Sequence, residues 1–178
     1  MTDLALVVAL ANARAVIRPT HARSAAAHDA LKNAASASEL LEPFLGRPVG
    51  ERQLDAVRAV QRSVVGIVDA LIDGLPPPLE DLNALAAREP VLYALERDRD
   101  GRLRVTPRPK RGSVAASLVF TVLRELSELD PARLRRCGRP ECRLVFYDTT
   151  RSATQRWHAD RPCGLRERQR RHRAKHAA

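Results

Sequence analysis

The chain has 178 residues with 31 Lys+Arg against 21 Asp+Glu, a formal net charge of +10, and this length allows one or two domains and no more. The charge is concentrated: residues 1–130 carry 17 basic and 17 acidic side chains, residues 131–178 carry 14 and 4, and the whole +10 therefore falls in the last 48 residues. That partition points to a neutral globular part joined to a segment that meets a polyanion, and no apolar run approaches the ~20 residues of a membrane-spanning helix.

In chain order, the apolar run 4–10 leads into Ala11-Asn12-Ala13. It lacks the positive flank of a secretion signal, its only preceding charge being Asp3, so export is not expected. Leu4, Val7, Val8, Ala11 and Ala15 recur at helical spacing until Pro19. A second helix is expected over about 24–44, with Leu31, Ala34, Ala35, Leu40, Leu41 and Phe44 on its apolar side and Gly46 and Pro48 after it. The strongest stripe follows: Leu54, Val57, Val60, Gln61, Val64, Ile67, Val68, Leu71 and Ile72, stopped by Gly74 and Pro76-Pro77-Pro78. A short helix over about 79–87 comes next. The period then changes to two at Val91, Tyr93 and Leu95, and again at Leu103 and Val105, with turn chemistry at 98–101 between them. This predicts a hairpin ended by Pro107, Pro109 and Gly112. Ser113 is placed to cap a last helix to about residue 129, with Val114, Leu118, Val122, Leu126 and Leu129 on one face.

These 130 residues show no catalytic pattern. His21 and His28 are isolated, and there is no glycine-rich phosphate loop, no H-E-x-x-H and no G-x-S-x-G. Asp69 and Asp73, four apart, read as a solvated helix face beside Arg58 and Arg62. The chain is not expected to be an enzyme.

All three cysteines lie in the basic segment. Cys137 and Cys142 are spaced C-x4-C, fifteen residues follow, and His158 and Cys163 are spaced H-x4-C. Two close ligands, a gap and two more close ligands are how a short chain brings four donors tetrahedrally onto Zn²⁺. The competing reading, three small buried apolar residues, fits their bracketing of one basic segment poorly. His172 and His176, four apart, are alternative donors but read more simply as passengers on a basic helix. Gly138 and Pro140 allow the first pair to turn around the ion. Leu144, Phe146 and Asp148 alternate as a strand, 149–154 supplies a turn, and 155–158 is expected to return as its partner. So few aliphatics cannot form a core, and without the metal this segment is expected to be disordered. Phe146, Tyr147 and Trp157 are expected to form a shell around the thiolates, stacking on bases being the less favoured reading. Four closed ligands argue for a structural ion rather than a deaminase-like centre.

From about Gly164 to Lys175 the sequence is compatible with a helix placing Arg166, Arg170 and Arg173 on one face, flanked by Arg171 and Lys175, with Leu165, Gln169 and His172 on the packing side. With Arg151 and Arg156 these are the candidate nucleic-acid contacts, guanidinium forks gripping phosphates and, in some positions, guanine edges.

The run Leu134-Arg135-Arg136-Cys137, Arg143-Leu144-Val145-Phe146-Tyr147-Asp148, Arg156-Trp157, Cys163-Gly164-x-Arg166 and His172-Arg173 resembles the bacterial CGNR zinc-finger family. Members generally carry a helical, alanine-rich N-terminal domain called ABATE, and Asp73-Gly74-Leu75-Pro76-Pro77 is similar to a corner common there. His158 stands where the family usually has its third cysteine, and Leu165 replaces the Asn of CGNR. Asn12 keeps one position of an N-terminal L-D-x-V-N-T-like pattern whose Asp and Thr are here Ala9 and Ala13. The resemblance implies stress-responsive transcription regulation.

The expectation is thus a mainly α protein. An ABATE-like helical domain at 1–130 with a small β-hairpin precedes a CGNR-like finger at 131–178, a zinc-binding knuckle–hairpin–helix of treble-clef or zinc-ribbon type. One structural Zn²⁺ would be held by Cys137, Cys142, His158 and Cys163, and the partner would be double-stranded DNA in the cytoplasm, at the nucleoid. A second copy of the chain and an unidentified small-molecule effector at the N-terminal domain are candidate further partners. The rival function is a zinc-stabilised RNA-binding or protein-interaction module docking on an acidic partner.

Overall fold

A computed structural model describes residues 5–14, 16–17, 26–27 and 29–176, and among these six α-helices and three two-stranded antiparallel sheets follow one another. Helix α1 is Ala5–Asn12, and β1 (Val16–Ile17) pairs with β2 (Ala26–Ala27). Then come α2 (Ala34–Leu45), α3 (Leu54–Ile72), α4 (Glu80–Ala87), the hairpin β3 (Val91–Arg97) and β4 (Leu103–Pro109), and α5 (Val114–Ser127). The basic segment contributes β5 (Leu134–Arg136), β6 (Val145–Tyr147) and α6 (Leu165–His176).

Helix α3 occupies its predicted stripe and is the centre of the core. Val57, Val60, Val64, Ile67 and Val68 are almost fully buried, each contributing on the order of 1.5–3 kcal/mol of transfer free energy. Leu6, Val7 and Leu10 of α1, Leu41 of α2, and Leu118, Val119 and Val122 of α5 close around them. Ser113 caps α5 as expected, its hydroxyl accepting from the Ala116 amide at 3.0 Å.

Two expectations are corrected here. The second helix begins ten residues later than predicted, at Ala34, because Asn33 caps it by accepting from the Ser36 amide (2.9 Å) and Asp29 turns the preceding chain through the Leu31 amide (2.9 Å). Those local bonds outweigh the featureless alanine propensity of 24–27, of which Ala26–Ala27 are a strand. Leu4 and Ala15 of the first expected helix, with Pro19, His21, Ser24 and His28, lie outside the described residues. The hairpin also continues through Pro107 and Pro109 instead of ending at them. The register pairs Tyr93 with Pro107 and Val91 with Pro109. The flanking bonds, Asp98 N–H to Arg102 and Lys110 N–H to Pro90, place the ladder bonds at even-numbered positions, so both prolines occupy sites whose nitrogen faces outward.

Glu125, on α5, is buried, and its carboxylate accepts the amides of Leu6 (3.3 Å) and Val7 (2.8 Å). It thereby satisfies orphan donors at the start of α1 and complements the helix dipole.

The basic segment packs on this core through β5 and β6. Leu134 and Val145 belong to the same buried cluster as α1, α3 and α5, with Tyr147 against its margin. Asn12, the last residue of α1, pairs with the main chain of Val145 in both directions: its Nδ2 donates to the carbonyl at 2.8 Å and its Oδ1 accepts the amide at 2.9 Å. A side-chain amide thus takes the place of a neighbouring strand. Asp69 of α3, read as part of a solvated face, is ion-paired with Arg136, while Arg58 donates instead to the carbonyls of Leu31 and Lys32. No helix among the described residues is long and apolar enough to cross a membrane.

Candidate metal centre and basic helix

Strand β5 leads directly into Cys137 and β6 follows Cys142 by two residues, so the first ligand pair sits in the loop of the β5–β6 hairpin. The Cys137 amide closes the loop on the Leu144 carbonyl at 2.7 Å, and Arg143 takes a left-handed conformation (φ 54°) to complete it. This corrects the predicted pairing: β6 pairs backwards with 134–136, and 155–158 forms no strand. Leu134-Arg135-Arg136 is too short and too basic to show an alternating pattern, which is why the periodicity missed it.

The second ligand pair is brought in by a side chain. Asp148 is fully buried at the end of β6. Its Oδ1 accepts the amide and hydroxyl of Thr150 (2.9 and 2.5 Å), and its Oδ2 accepts the Gln155 amide at 2.7 Å. Burial pushes its carboxyl pKa up, but the bonds from Thr150 and Gln155 and the nearby Arg135 outweigh this and hold it below the usual carboxylate range. Arg133 donates to the carbonyls of Asp148 and Thr150 (2.9 and 2.8 Å), and Arg135 to that of Ala153 at 2.6 Å. The turn so fixed delivers the Arg156 carbonyl to the Gly138 amide at 2.8 Å. A Cβ on Gly138 would stand 3.1 Å from that carbonyl oxygen, so glycine is what permits the approach. His158 follows two residues on.

Cys137, Cys142, His158 and Cys163 thereby converge, with one donor atom from each and all four atoms within 4.8 Å of one another. His158 Nδ1 lies 3.4 Å from Cys142 Sγ and 3.7 Å from Cys163 Sγ. A tetrahedral ion with metal–sulfur bonds near 2.3 Å and a metal–nitrogen bond near 2.0 Å requires donor separations of about 3.5–3.8 Å. The donor chemistry fits as well. Burial pushes the Cys142 thiol up to about 12 and raises Cys163, while burial lowers His158 and keeps its imidazole neutral, as a ligand must be. Thiolates are therefore unfavourable here without a cation, and Zn²⁺ supplies the opposing charge that makes them favourable. Arg139, which donates to Glu141 at 2.9 Å, also interacts electrostatically with Cys163 and would offset the negative charge of three thiolates around one divalent ion.

The aromatic shell is smaller than expected. Val145 and Tyr147 face the helical core, and the Tyr147 hydroxyl accepts the Asp130 amide at 3.3 Å. Phe146 between them is buried on the opposite side. Trp157 packs against the turn into α6, where a Cβ on Gly164 would meet its ring at 3.3 Å and Asp160 Oδ1 at 2.6 Å. The rings of His172 and His176 meet tilted at 50°, centroids 4.3 Å apart, and take no part in the cluster.

Helix α6 starts directly after Cys163-Gly164. Its packing side is Glu167, which is buried, and not Leu165, Gln169 and His172, which are exposed. A carboxylate can be buried here because Arg170 donates two bonds to it (2.7 and 2.9 Å) and Arg171 one (3.3 Å). The Arg170 bonds, against a smaller opposing effect of burial and helped by Arg171, lower its pKa to about 2. Arg168 pairs with Asp160 at 2.8 Å. From Arg168 to His176 every residue is exposed. Of the candidate nucleic-acid contacts, Arg170, Arg171, Arg173 and Lys175 share this exposed stretch, Arg166 is half-buried at its start, and Arg151 and Arg156 are exposed on the preceding segment. Arg156 lines an open groove of about 670 Å³ between the end of α3 and β5, with Leu71, Ile72, Leu134 and Arg136.

Residues 4–130 match the ABATE family model, described as "Putative stress-induced transcription regulator", and residues 133–176 match the CGNR zinc finger model. No curated protein matches the chain.

Proposed function

Because this chain belongs to the ABATE family and ends in a CGNR zinc finger, we propose that it is a transcription regulator of the cytoplasm that binds duplex DNA through α6. In this reading residues 1–130 form the regulatory domain and 131–178 the DNA-contacting finger. The observation that carries it is the exposed helix α6, with Arg166, Arg168, Arg170, Arg171, Arg173 and Lys175 against the single acid Glu167, standing directly on a zinc ligand. Glu167 orients Arg170 and Arg171 from one end and leaves their remaining N–H groups for phosphates, and Arg173 and Lys175 extend the same strip. Arg151 and Arg156 add contacts beside it. The zinc acts by fixing the start of α6, not by chemistry.

Titration of labelled duplex DNA with zinc-loaded protein at increasing salt tests this. Some five phosphate contacts give a log–log slope of about −4 to −5, a loss of roughly 10²–10³-fold in affinity between 50 and 200 mM salt. Salt-insensitive binding, or stronger binding to single strands or structured RNA than to duplex, contradicts the proposal.

A further inference from the structure

The β3–β4 hairpin exposes an apolar face. Val91, Tyr93 and Leu95 on β3 and Leu103 and Val105 on β4 share its odd-numbered side by register, and their exposures run from 41% at Val91 to 73% at Tyr93. Alternation on an antiparallel ribbon ordinarily turns the apolar side to a core; here it faces outward.

The charges of the hairpin are arranged so as to leave that face neutral. Glu96 pairs with Arg108 and Asp98 with Arg104. Glu96, Arg104 and Arg108 project from the even-numbered side and Asp98 from the tip, so the only charge on the odd side is Arg97 at its end. Such a surface selects neither a polyanion nor an oppositely charged protein. What it does match, in size and in chemistry, is itself. With ordinary side-chain areas the exposed odd face amounts to roughly 550 Å². Two copies laid face to face would remove about 1,100 Å² from water, just above the ~1,000 Å² at which a specific interface becomes stable. Each copy presents the same five residues, as a two-fold contact requires. The two prolines of β4 remove amides from its outer edge, which disfavours open-ended growth by strand addition there and leaves the closed, face-to-face contact.

We infer that the odd-numbered face of the β3–β4 hairpin is a homodimer interface, occupied by the same face of a second copy of this chain. It is independent of the zinc centre and of nucleic acid. It would present two α6 helices on one particle.

Sedimentation velocity on the zinc-loaded full chain over about 1–200 µM tests it. The expected result is a monomer–dimer equilibrium at micromolar concentration that high salt leaves intact, since apolar burial drives it. Leu95→Arg and, more mildly, Tyr93→Ser should raise the dissociation constant at least tenfold while leaving the circular dichroism spectrum and zinc content unchanged, and the melting temperature unchanged when it is measured below the parent's dissociation constant, because in the monomer both side chains are mostly in solvent. Leu92→Arg, on the opposite side of the same strand, should leave the dimer intact. A protein monomeric across the whole range, a Leu95→Arg variant as dimeric as the parent, or a Leu92→Arg variant as monomeric as Leu95→Arg would each overturn the inference.

Discussion

The helical region and the basic segment reach a defined structure by different means. In residues 5–130 the work is done by apolar stripes on α1, α2, α3 and α5 that bury one another. Among the described side chains of residues 131–176, the buried aliphatic or aromatic ones are Leu134, Val145 and Phe146. The chain there is shaped instead by four metal donors, by Asp148 holding the turn, and by Arg133 and Arg135 tied to carbonyls. The first kind of order is distributed and tolerates loss at any one site. The second is concentrated in a few groups, each of which is indispensable to its neighbours. Asn12 and Val145 join the two, so the segment is anchored at its β5–β6 base by the helical core and organised beyond it by the ion.

The contrast can be broken most severely at the ion. Cys163→Ser, or chelation, forfeits a structural zinc whose binding is worth on the order of 10 kcal/mol in small domains. The expected outcome is loss of amide protection from about 137 to the end of α6, with α3 and α5 still protected and β5–β6 retained in part. Hydrogen exchange reads this region by region; collapse of α3 protection would show that the two kinds of order are not separable. Next is Leu118→Ala, which opens a cavity in a fully buried site and should cost about 2–5 kcal/mol in denaturant titration without changing zinc stoichiometry. Asn12→Ala strands the main-chain amide and carbonyl of buried Val145 and should cost about 1–3 kcal/mol, and Asn12→Asp, which sets a carboxylate oxygen against the Val145 carbonyl, should cost at least as much. A smaller effect is electrostatic. Glu167 is held at about 2, below its ordinary value, by Arg170 and, against burial, by Arg171, so its stabilising contribution is fully present above its unfolded pKa near 4.3 and is lost as pH falls toward 2. A carboxyl NMR titration with a midpoint near 4.3 would show that the clamp on Arg170 and Arg171 is absent.

The sequence reveals the two regions unequally, along the same division. Apolar periodicity located α3, α5 and the β3–β4 ribbon because one face of each is repetitive. It misplaced the start of α2, where Asn33 and Asp29 decide the outcome through single hydrogen bonds, and it ended β4 at prolines that the strand accommodates on its outer edge. The four metal donors were legible because zinc imposes spacing on the chain. The route between them was not, since β5 is a three-residue, mostly basic strand and Asp148 acts through its carboxylate rather than through a pattern. Glu125 and Glu167 were likewise invisible: each is a buried acid whose partners, main-chain amides 118–119 residues away in one case and neighbouring arginines in the other, exist only in the fold. Asn12 was marked only as the retained position of an N-terminal family-like pattern, and its partner 133 residues away was not marked at all.

The metal centre organises the whole basic segment, and zinc K-edge X-ray absorption on the purified protein tests its identity directly. The prediction is one zinc per chain with three sulfur neighbours near 2.3 Å and one nitrogen near 2.0 Å, reverting to a site without the imidazole when His158 is replaced by Ala. A first shell of four sulfurs, or one dominated by nitrogen and oxygen, would contradict it.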